Sequence, residues 1–175
     1  RPNNSENIMA GLDGKKAVVV GGGTGIGQAI ARGLAAAGAD VAIGGRRVEP
    51  LSDTAQGTSM HTHTVDVACR DSTNTFFQWA AQQLGHIDIL INAAGINVRL
   101  RTMADMAPED WDKVMSINAT GAYNCMQAVL PDMRARRAGT IVNVSSIAGK
   151  RAIALGGVAY AASKFAMTAL GTCVS

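Results

Sequence analysis

Short apolar runs alternate with helical patterns along almost the whole chain, and this alternation restricts the possible folds more than any other feature of the sequence. Five runs have the length and the β-branched or alternating character of strands. The predicted strands are Lys16–Val20 (KAVVV), Asp40–Gly45 (DVAIGG), 61–67 (HTHTVDV), 87–95 (IDILINAAG) and 139–146 (GTIVNVSS). Strands that alternate with helices form a parallel sheet with helices on both faces. The sequence therefore predicts an α/β fold.

Helices are predicted between these strands from apolar spacing and from signals at their ends. The predicted helices are a first one that closes at Gly38, then 48–56 with Pro50 in its first turn, 71–85, a long one at 108–133, and a last one in GVAYAASKFAMTALGT. Right-handed crossovers between parallel strands place such helices in two layers. The predicted architecture is a Rossmann-type doubly wound parallel sheet within a three-layer α/β/α sandwich.

Composition and charge exclude several classes of protein. The sequence has no apolar run of 18 or more residues, so we expect no membrane span. The net charge is +3, but the basic residues are scattered, and the one dense run, RARR at 134–137, is predicted to be a solvated helix end. We therefore expect no nucleic-acid partner.

Cysteine and histidine spacing gives no sign of a metal site. The three cysteines, Cys69, Cys125 and Cys173, are far apart, and we interpret them as reduced thiols of a cytoplasmic protein. His61 and His63 face the same way on a predicted strand, but no further ligands accompany them. We expect no metal.

A glycine-rich segment, GGGTGIG, joins the first strand to the first helix. A ligand that carries phosphate needs a backbone it can approach without a Cβ, and free N–H groups at a helix N-terminus. Such a cluster can also be an ordinary tight turn. Its position after the first strand of an alternating chain favours a dinucleotide.

The glycine spacing, Gly-x-x-x-Gly-x-Gly, resembles that of the short-chain dehydrogenase/reductase (SDR) family. Four further motifs of this family follow in the same order: NAAG at 92–95, NATG at 118–121, NVSS at 143–146 and YAASK at 160–164. Ala93 replaces an asparagine of the family pattern, and Val20 stands where the family usually has threonine. Together the motifs span nearly the whole chain, and the chain as a whole resembles this family.

The resemblance implies a nicotinamide dinucleotide cofactor and a set of residues that bind it. These are Gly21, Gly23, Thr24, Gly25, Ile26, Gly27, Arg46, Arg47, Asp66, Val67, Asn92, Ala93, Gly95, Tyr160 and Lys164. An acid after the second strand would select NAD(H) by binding the ribose 2′-hydroxyl, but Gly45 occupies that position. Arg46 and Arg47 follow and suit a 2′-phosphate, so NADP(H) is favoured, with Arg46 as the main contact. Alternatively, the two arginines only begin a solvated helix.

Tyr160 and Lys164 are four residues apart and share one face of a helix. An ordinary phenol has a pKa of about 10, and an adjacent cation favours the phenolate. The resemblance implies that Tyr160 is the general acid/base of hydride transfer between nicotinamide and a carbonyl or secondary alcohol. It also implies that Lys164 binds the nicotinamide ribose.

The resemblance adds two catalytic residues, Ser146 and Asn118. Ser146, with Ser145 as the alternative, would hydrogen-bond the substrate oxygen, and its distance from Tyr160 is one residue longer than the usual family spacing. Asn118 lies inside a predicted helix although asparagine is a poor helix former. It either marks a kink or holds, through its carbonyl, a water that links Lys164 to bulk solvent. Asp88 is expected to be structural.

The predicted organisation is a polar lead-in at 1–13 and a dinucleotide-binding SDR domain at 14–175. The resemblance implies that the C-terminal part of the family's domain, which carries most substrate specificity, is missing. It also implies a homo-oligomer, a dimer or homotetramer formed by the long helix and the Tyr160 helix.

Three interpretations of function stay open. The first is an NADP-dependent oxidoreductase of a small carbonyl or alcohol, with 3-oxoacyl thioesters, sugars or polyols, and steroid-like ketones as unranked substrates. The second is a non-catalytic dinucleotide-binding regulatory or scaffold protein. The third is an epimerase or dehydratase of nucleotide sugars.

Overall fold

The structure, a computed structural model, describes residues 11–174. Residues 1–10 of the predicted lead-in therefore lie outside the described residues. The end of that segment contacts the domain, because the N–H of Leu12 donates to the carbonyl of Ala37 at 3.2 Å.

Five parallel strands form the sheet in the described part of the chain. They are β1 (Lys16–Val20), β2 (Asp40–Gly45), β3 (His61–Thr64), β4 (Ile89–Asn92) and β5 (Thr140–Asn143). Their spatial order is β3-β2-β1-β4-β5, so the order reverses between β1 and β4. Ligands bind at this kind of reversal, outside the carboxyl ends of the strands.

The strands β1 and β2 have the predicted bounds, whereas β3, β4 and β5 are shorter than predicted. Thr64 pairs with Gly45, the last residue of β2, and Asn143 pairs with Asn92. Each shortened strand therefore ends at the level where its neighbour ends. The residues that follow form loops at the carboxyl edge.

Helices cover both faces of the sheet. They are α1 (Gly25–Ala36), α2 (Val48–Ala55), α3 (Arg70–Leu84), α4 (Pro108–Met115), α5 (Gly121–Arg136) and α6 (Val158–Cys173). A π-helical turn, Ser116–Thr120, joins α4 to α5, so the long helix predicted at 108–133 is interrupted. The predicted parallel α/β sandwich is confirmed. No helix within residues 11–174 is long and apolar enough to cross a bilayer.

The strand pleat divides the core into two layers, one on each side of the sheet. Val18 and Val20 of β1 pack in the layer that also holds Phe76 and Met126. The residues between them, Ala17 and Val19, pack on the opposite face. Both layers are apolar and buried, as expected for a parallel sheet that is covered on both sides.

Asp88 is a structural residue at the amino end of the sheet, as the sequence predicts. Its carboxylate accepts the N–H of Lys16 at 3.1 Å and pairs with Arg136 at 3.1 Å and His86 at 3.2 Å. Burial alone would raise the pKa of Asp88, but these partners together lower it. Arg136 also donates to the carbonyl of Ile87 at 2.6 Å. The prediction of a solvated RARR run is therefore wrong for Arg136, which ties α5 to β4.

Replacing Asp88 by asparagine is expected to lower the free energy of unfolding by about 2 kcal/mol, because charged hydrogen bonds are lost at a largely buried site. The lowered pKa means that the contribution of Asp88 is complete above its ordinary value of 3.8 and is lost as the pH falls through the folded value. Urea unfolding at several pH values measures both effects. Asp132→Asn is the control, because Asp132 is 56% exposed and pairs with the same arginine. Equal stability of Asp88→Asn and wild type at neutral pH would contradict the structural role.

Candidate functional site

A cavity of about 650 Å³ opens at the carboxyl edge of the sheet, beside the reversal between β1 and β4. Most of the residues predicted to bind cofactor line it. They are Gly21, Gly23, Thr24, Ile26, Gly27, Arg46, Arg47, Asp66, Val67, Ala93, Gly95, Tyr160 and Lys164. Residues that are distant in sequence thus meet in one place.

The glycine loop presents free backbone donors at one end of the cavity. Thr24 is the N-cap of α1 but makes no side-chain cap, and the first turn contains no acidic residue. The N–H groups of residues 24–27 have no acceptor among the described residues. Unpaired N–H groups and the positive end of the helix dipole attract anions.

Two positions in this loop require glycine for steric or backbone reasons. Gly21 has φ +82°, and a Cβ added there would lie 2.5 Å from the backbone nitrogen of Ala94. Gly25 has φ +56°, and a Cβ added there would extend into open space. Gly21 is thus required for close packing of β1 against the loop after β4, and Gly25 for the turn into α1.

The arginines lie on the wall between β2 and α2. Arg46 is exposed, and Arg47 is the N-cap residue of α2. Neither has a carboxylate partner among the described residues. No acidic side chain follows β2 directly, so this wall offers two positive charges and no negative one.

The wall next to the arginines is formed by the residues that follow β3. Asp66 is exposed, and its Oδ1 accepts the N–H of Ala68 at 3.1 Å. Val67 is buried, and its carbonyl accepts a hydrogen bond from Asn124 Nδ2 at 2.9 Å. This wall therefore combines one exposed carboxylate with a fixed apolar side chain.

Lys164 is a buried cation on the same wall as Tyr160. Its side chain is 5% exposed, and its Nζ donates to the carbonyl of Val144 at 2.8 Å. The Nζ lies 5.7 Å from the centre of the Tyr160 ring. No carboxylate pairs with Lys164 in residues 11–174, and its burial lowers the pKa of the amine. The cation and the phenol therefore share one surface of α6.

The two serines that follow β5 have different hydrogen bonds. The Ser145 hydroxyl lies 3.2 Å from the Lys164 carbonyl and 3.0 Å from the Thr168 hydroxyl, so α6 satisfies it. In the described part of the chain, Ser146 Oγ only accepts, from the N–H of Ala148 at 3.1 Å, and its own hydrogen has no acceptor. The cavity wall includes Ser145 and does not include Ser146. Hydrogen bonding thus leaves Ser146 as the better donor, although Ser145 is nearer to the cavity.

Asn118 is fully buried within the π turn. Its Oδ1 accepts the N–H of Ile96 at 2.8 Å, and its Nδ2 donates to the Ile96 carbonyl at 2.9 Å and to Ser163 Oγ at 3.0 Å. The side chain therefore fixes the loop after β4 against α6. A π turn shifts the hydrogen-bond register of a helix, and such turns often occur at functional sites.

Gly25, Asn92, Asn118 and Ser146 are the predicted site residues that do not line the cavity. Asn92 is 3% exposed and donates from Nδ2 to Asn143 Oδ1 at 2.8 Å, across the β4–β5 pair. Sequence reasoning missed several wall residues, including Pro50, Leu51, Asn97, Ile117 and Val144. Only their positions just after strands or just inside helices could have indicated them.

No metal site is formed by the histidines. His61 Nε2 lies 3.4 Å from Asp40 Oδ1, and the His63 ring packs 4.8 Å from that of Trp79. Residues 11–174 contain no group of three or more side chains that could hold a metal ion. The three cysteines are unpaired, and burial raises the pKa of Cys125 to about 12.

The fold is a Rossmann-type parallel sheet flanked by helices, with the cavity at its carboxyl edge. Residues 15–175 match the model of the short chain dehydrogenase family. The chain therefore belongs to the short-chain dehydrogenase/reductase family.

Similar proteins carry oxidoreductase names. The chain is 38% identical to oxidoreductase UcpA of Salmonella typhimurium over 93% of its own length and 63% of that protein. It is 37% identical to glycine betaine reductase ATRR of Emericella nidulans, over 88% of this chain and 12% of the relative. The crystal structure of levodione reductase superposes with a TM-score of 0.85 at 29% identity, over 91% of this chain and 64% of that one. The chain thus spans less than two thirds of the length of each of these relatives. None of their names supports the alternative of a non-catalytic dinucleotide-binding protein.

Proposed function

We propose that this protein is an NADP-dependent oxidoreductase that interconverts a carbonyl compound and a secondary alcohol. The observation that carries the proposal is that Tyr160 and Lys164 line the same cavity as the glycine loop. A phosphate-binding end and an acid/base end thus belong to one site. The free N–H groups at the start of α1 and the open space above Gly25 fit a dinucleotide.

The nicotinamide, when bound, supplies or accepts the hydride. In reduction, the Tyr160 hydroxyl donates its proton to the substrate oxygen as the carbonyl carbon gains the hydride. In oxidation, the phenolate removes the proton of the alcohol. The Lys164 Nζ, 5.7 Å from the centre of the Tyr160 ring, would place a positive charge beside the phenol in both directions of the reaction.

Ser146 and Asn118 complete the proposed machinery. The free hydrogen of the Ser146 hydroxyl is available to the substrate oxygen and would stabilise the charge that develops there. Asn118 fixes the loop that faces Lys164, and its backbone carbonyl would hold a water that resupplies protons to Lys164.

The preference for NADP(H) rests on the charge of the wall after β2. Within residues 11–174, Arg46 and Arg47 make no ion pair, and the position that would carry an acid is Gly45. A 2′-phosphate suits two guanidinium groups, whereas a 2′-hydroxyl gains most from a carboxylate. Arg46 is the proposed main contact, and Asp66 the proposed contact of the adenine amine.

We further propose a cytoplasmic homo-oligomer, a dimer or tetramer. The unpaired cysteines agree with a reducing compartment. Large apolar side chains are exposed on α4, α5 and α6, namely Trp111, Tyr123 and Phe165. Exposed aromatic side chains of this kind favour a protein interface, and symmetric dimers are the commonest assemblies.

A turnover assay tests the proposed reaction. The protein is mixed with NADPH and in turn with a 3-oxoacyl thioester, a keto sugar and a steroid-like ketone, and the absorbance of reduced nicotinamide is followed. We expect one class to consume NADPH and to yield an equal amount of the alcohol. NADPH binding without consumption for any class would instead favour a non-catalytic dinucleotide-binding protein.

A further inference from the structure

Thr54, in the last turn of α2, is a fully buried polar residue outside the predicted site. Its Oγ1 lies 2.9 Å from the Pro50 carbonyl and 3.2 Å from the Gly23 carbonyl. It also accepts a hydrogen bond from Gln28 Nε2 at 3.0 Å. One hydroxyl therefore links α2, the glycine loop and α1.

The link to Gly23 determines the direction of a neighbouring donor. The peptide bond between Gly23 and Thr24 is trans, so the Gly23 carbonyl and the Thr24 N–H point in opposite directions. Because the carbonyl is held against Thr54, the Thr24 N–H points away from α2. This N–H is the first of the donors at residues 24–27 that have no acceptor among the described residues.

The C-terminal end of α2 is also held in place by α1. Arg32 donates from Nε to the Thr54 carbonyl at 3.2 Å and from Nη2 to the Asp53 carbonyl at 2.8 Å. The last carbonyls of a helix lack hydrogen-bond partners within the helix. A cation at this end also interacts favourably with the negative end of the helix dipole. These two bonds therefore fix the C-terminal end of α2 against α1.

We propose that Thr54 is a positioning residue of the dinucleotide site. Its hydroxyl holds the glycine loop against α2, so that the loop presents its N–H groups to the cofactor phosphates beside Arg46, which lies in the turn between β2 and α2. This inference rests on the proposed dinucleotide binding. It adds a residue that does not line the cavity itself but bonds Gly23, which does.

The test compares three threonine variants by fluorescence titration of the whole protein with NADPH and NADH. Thr54→Val removes the hydroxyl and is expected to weaken binding of the preferred dinucleotide about tenfold. Thr54→Ser keeps the hydroxyl and is expected to bind within about twofold of wild type. Thr58→Val is the matched control, because Thr58 Oγ1 also bonds a carbonyl near the end of α2, that of Ala55 at 2.7 Å, but does not contact the loop.

Wild-type affinity in Thr54→Val, or an equal loss in Thr58→Val, would overturn the positioning role. If Thr54→Val does not fold, Gln28→Ala replaces it, since it removes the donor that orients the hydroxyl and leaves a half-buried position. A loss of about threefold then supports the inference, and no loss overturns it. If wild type binds neither NADPH nor NADH, the proposed function itself fails, and this inference with it.

Discussion

Replacing Tyr160 by phenylalanine is expected to lower turnover about 10³-fold, the usual contribution of a general acid or base. Phenylalanine keeps the ring that lies 5.7 Å from Lys164 Nζ and removes only the hydroxyl. Binding of NADPH should stay within about twofold of wild type, because the cofactor phosphates are held at the other end of the cavity. Steady-state kinetics and fluorescence titration measure the two effects separately.

Tyr123→Phe is the control, because Tyr160 and Tyr123 are the two tyrosines of the chain. Tyr123 is exposed on α5, where its ring packs 5.8 Å from the Arg70 guanidinium. This control should retain wild-type turnover. If Tyr160→Phe kept more than about a tenth of the wild-type rate, a different group would have to transfer the proton.

Replacing Arg46 by alanine is expected to weaken NADPH binding about 30-fold and to leave NADH binding within about twofold, since a charged contact to the 2′-phosphate is lost. Arg46 is exposed and makes no ion pair among the described residues, so its removal should not unfold the protein. Titration of wild type and variant with both dinucleotides gives the ratio of affinities.

Two further variants sharpen this test. Arg47→Ala should weaken NADPH binding less, because Arg46 is the proposed main contact. Gly45→Asp should weaken NADPH binding and strengthen NADH binding, because a carboxylate there can accept from a ribose hydroxyl. A Cβ at Gly45 would make only an ordinary contact, 3.5 Å from Leu51 Cδ2. An unchanged NADPH affinity in Arg46→Ala would support the alternative that the arginines only begin a helix.

The sequence was sufficient for the fold because local patterns and tertiary packing agree. The bounds of β1 and β2 follow from continuous apolar runs that are buried on both faces. The glycine loop and the Tyr160–Lys164 pair could also be predicted from the sequence, because the residues of each lie within a single turn or helix. The parallel order of the strands then brings them to one edge.

Features that depend on long-range contacts could not be read from the sequence. The π turn forms where Asn118 bonds both backbone groups of Ile96, a residue in a loop 22 positions earlier. The link from Thr54 to Gly23 spans 31 positions, and that from Arg136 to Asp88 spans 48. The spacing of apolar residues within a short stretch of sequence carries no information on such distant pairs. For this reason Arg136 was predicted to be solvated, and the role of Thr54 was not predicted.

The most direct test of the account is a titration of the unmodified protein with NADPH and with NADH. Binding is detected by the change in the protein's fluorescence. The intact mass of the same sample, compared with the 18.0 kDa of this sequence, defines which chain is measured. The account predicts saturable binding of both dinucleotides, with NADPH bound at least about tenfold more tightly. Tighter binding of NADH would contradict the assignment of Arg46, and binding of neither would contradict the dinucleotide site itself.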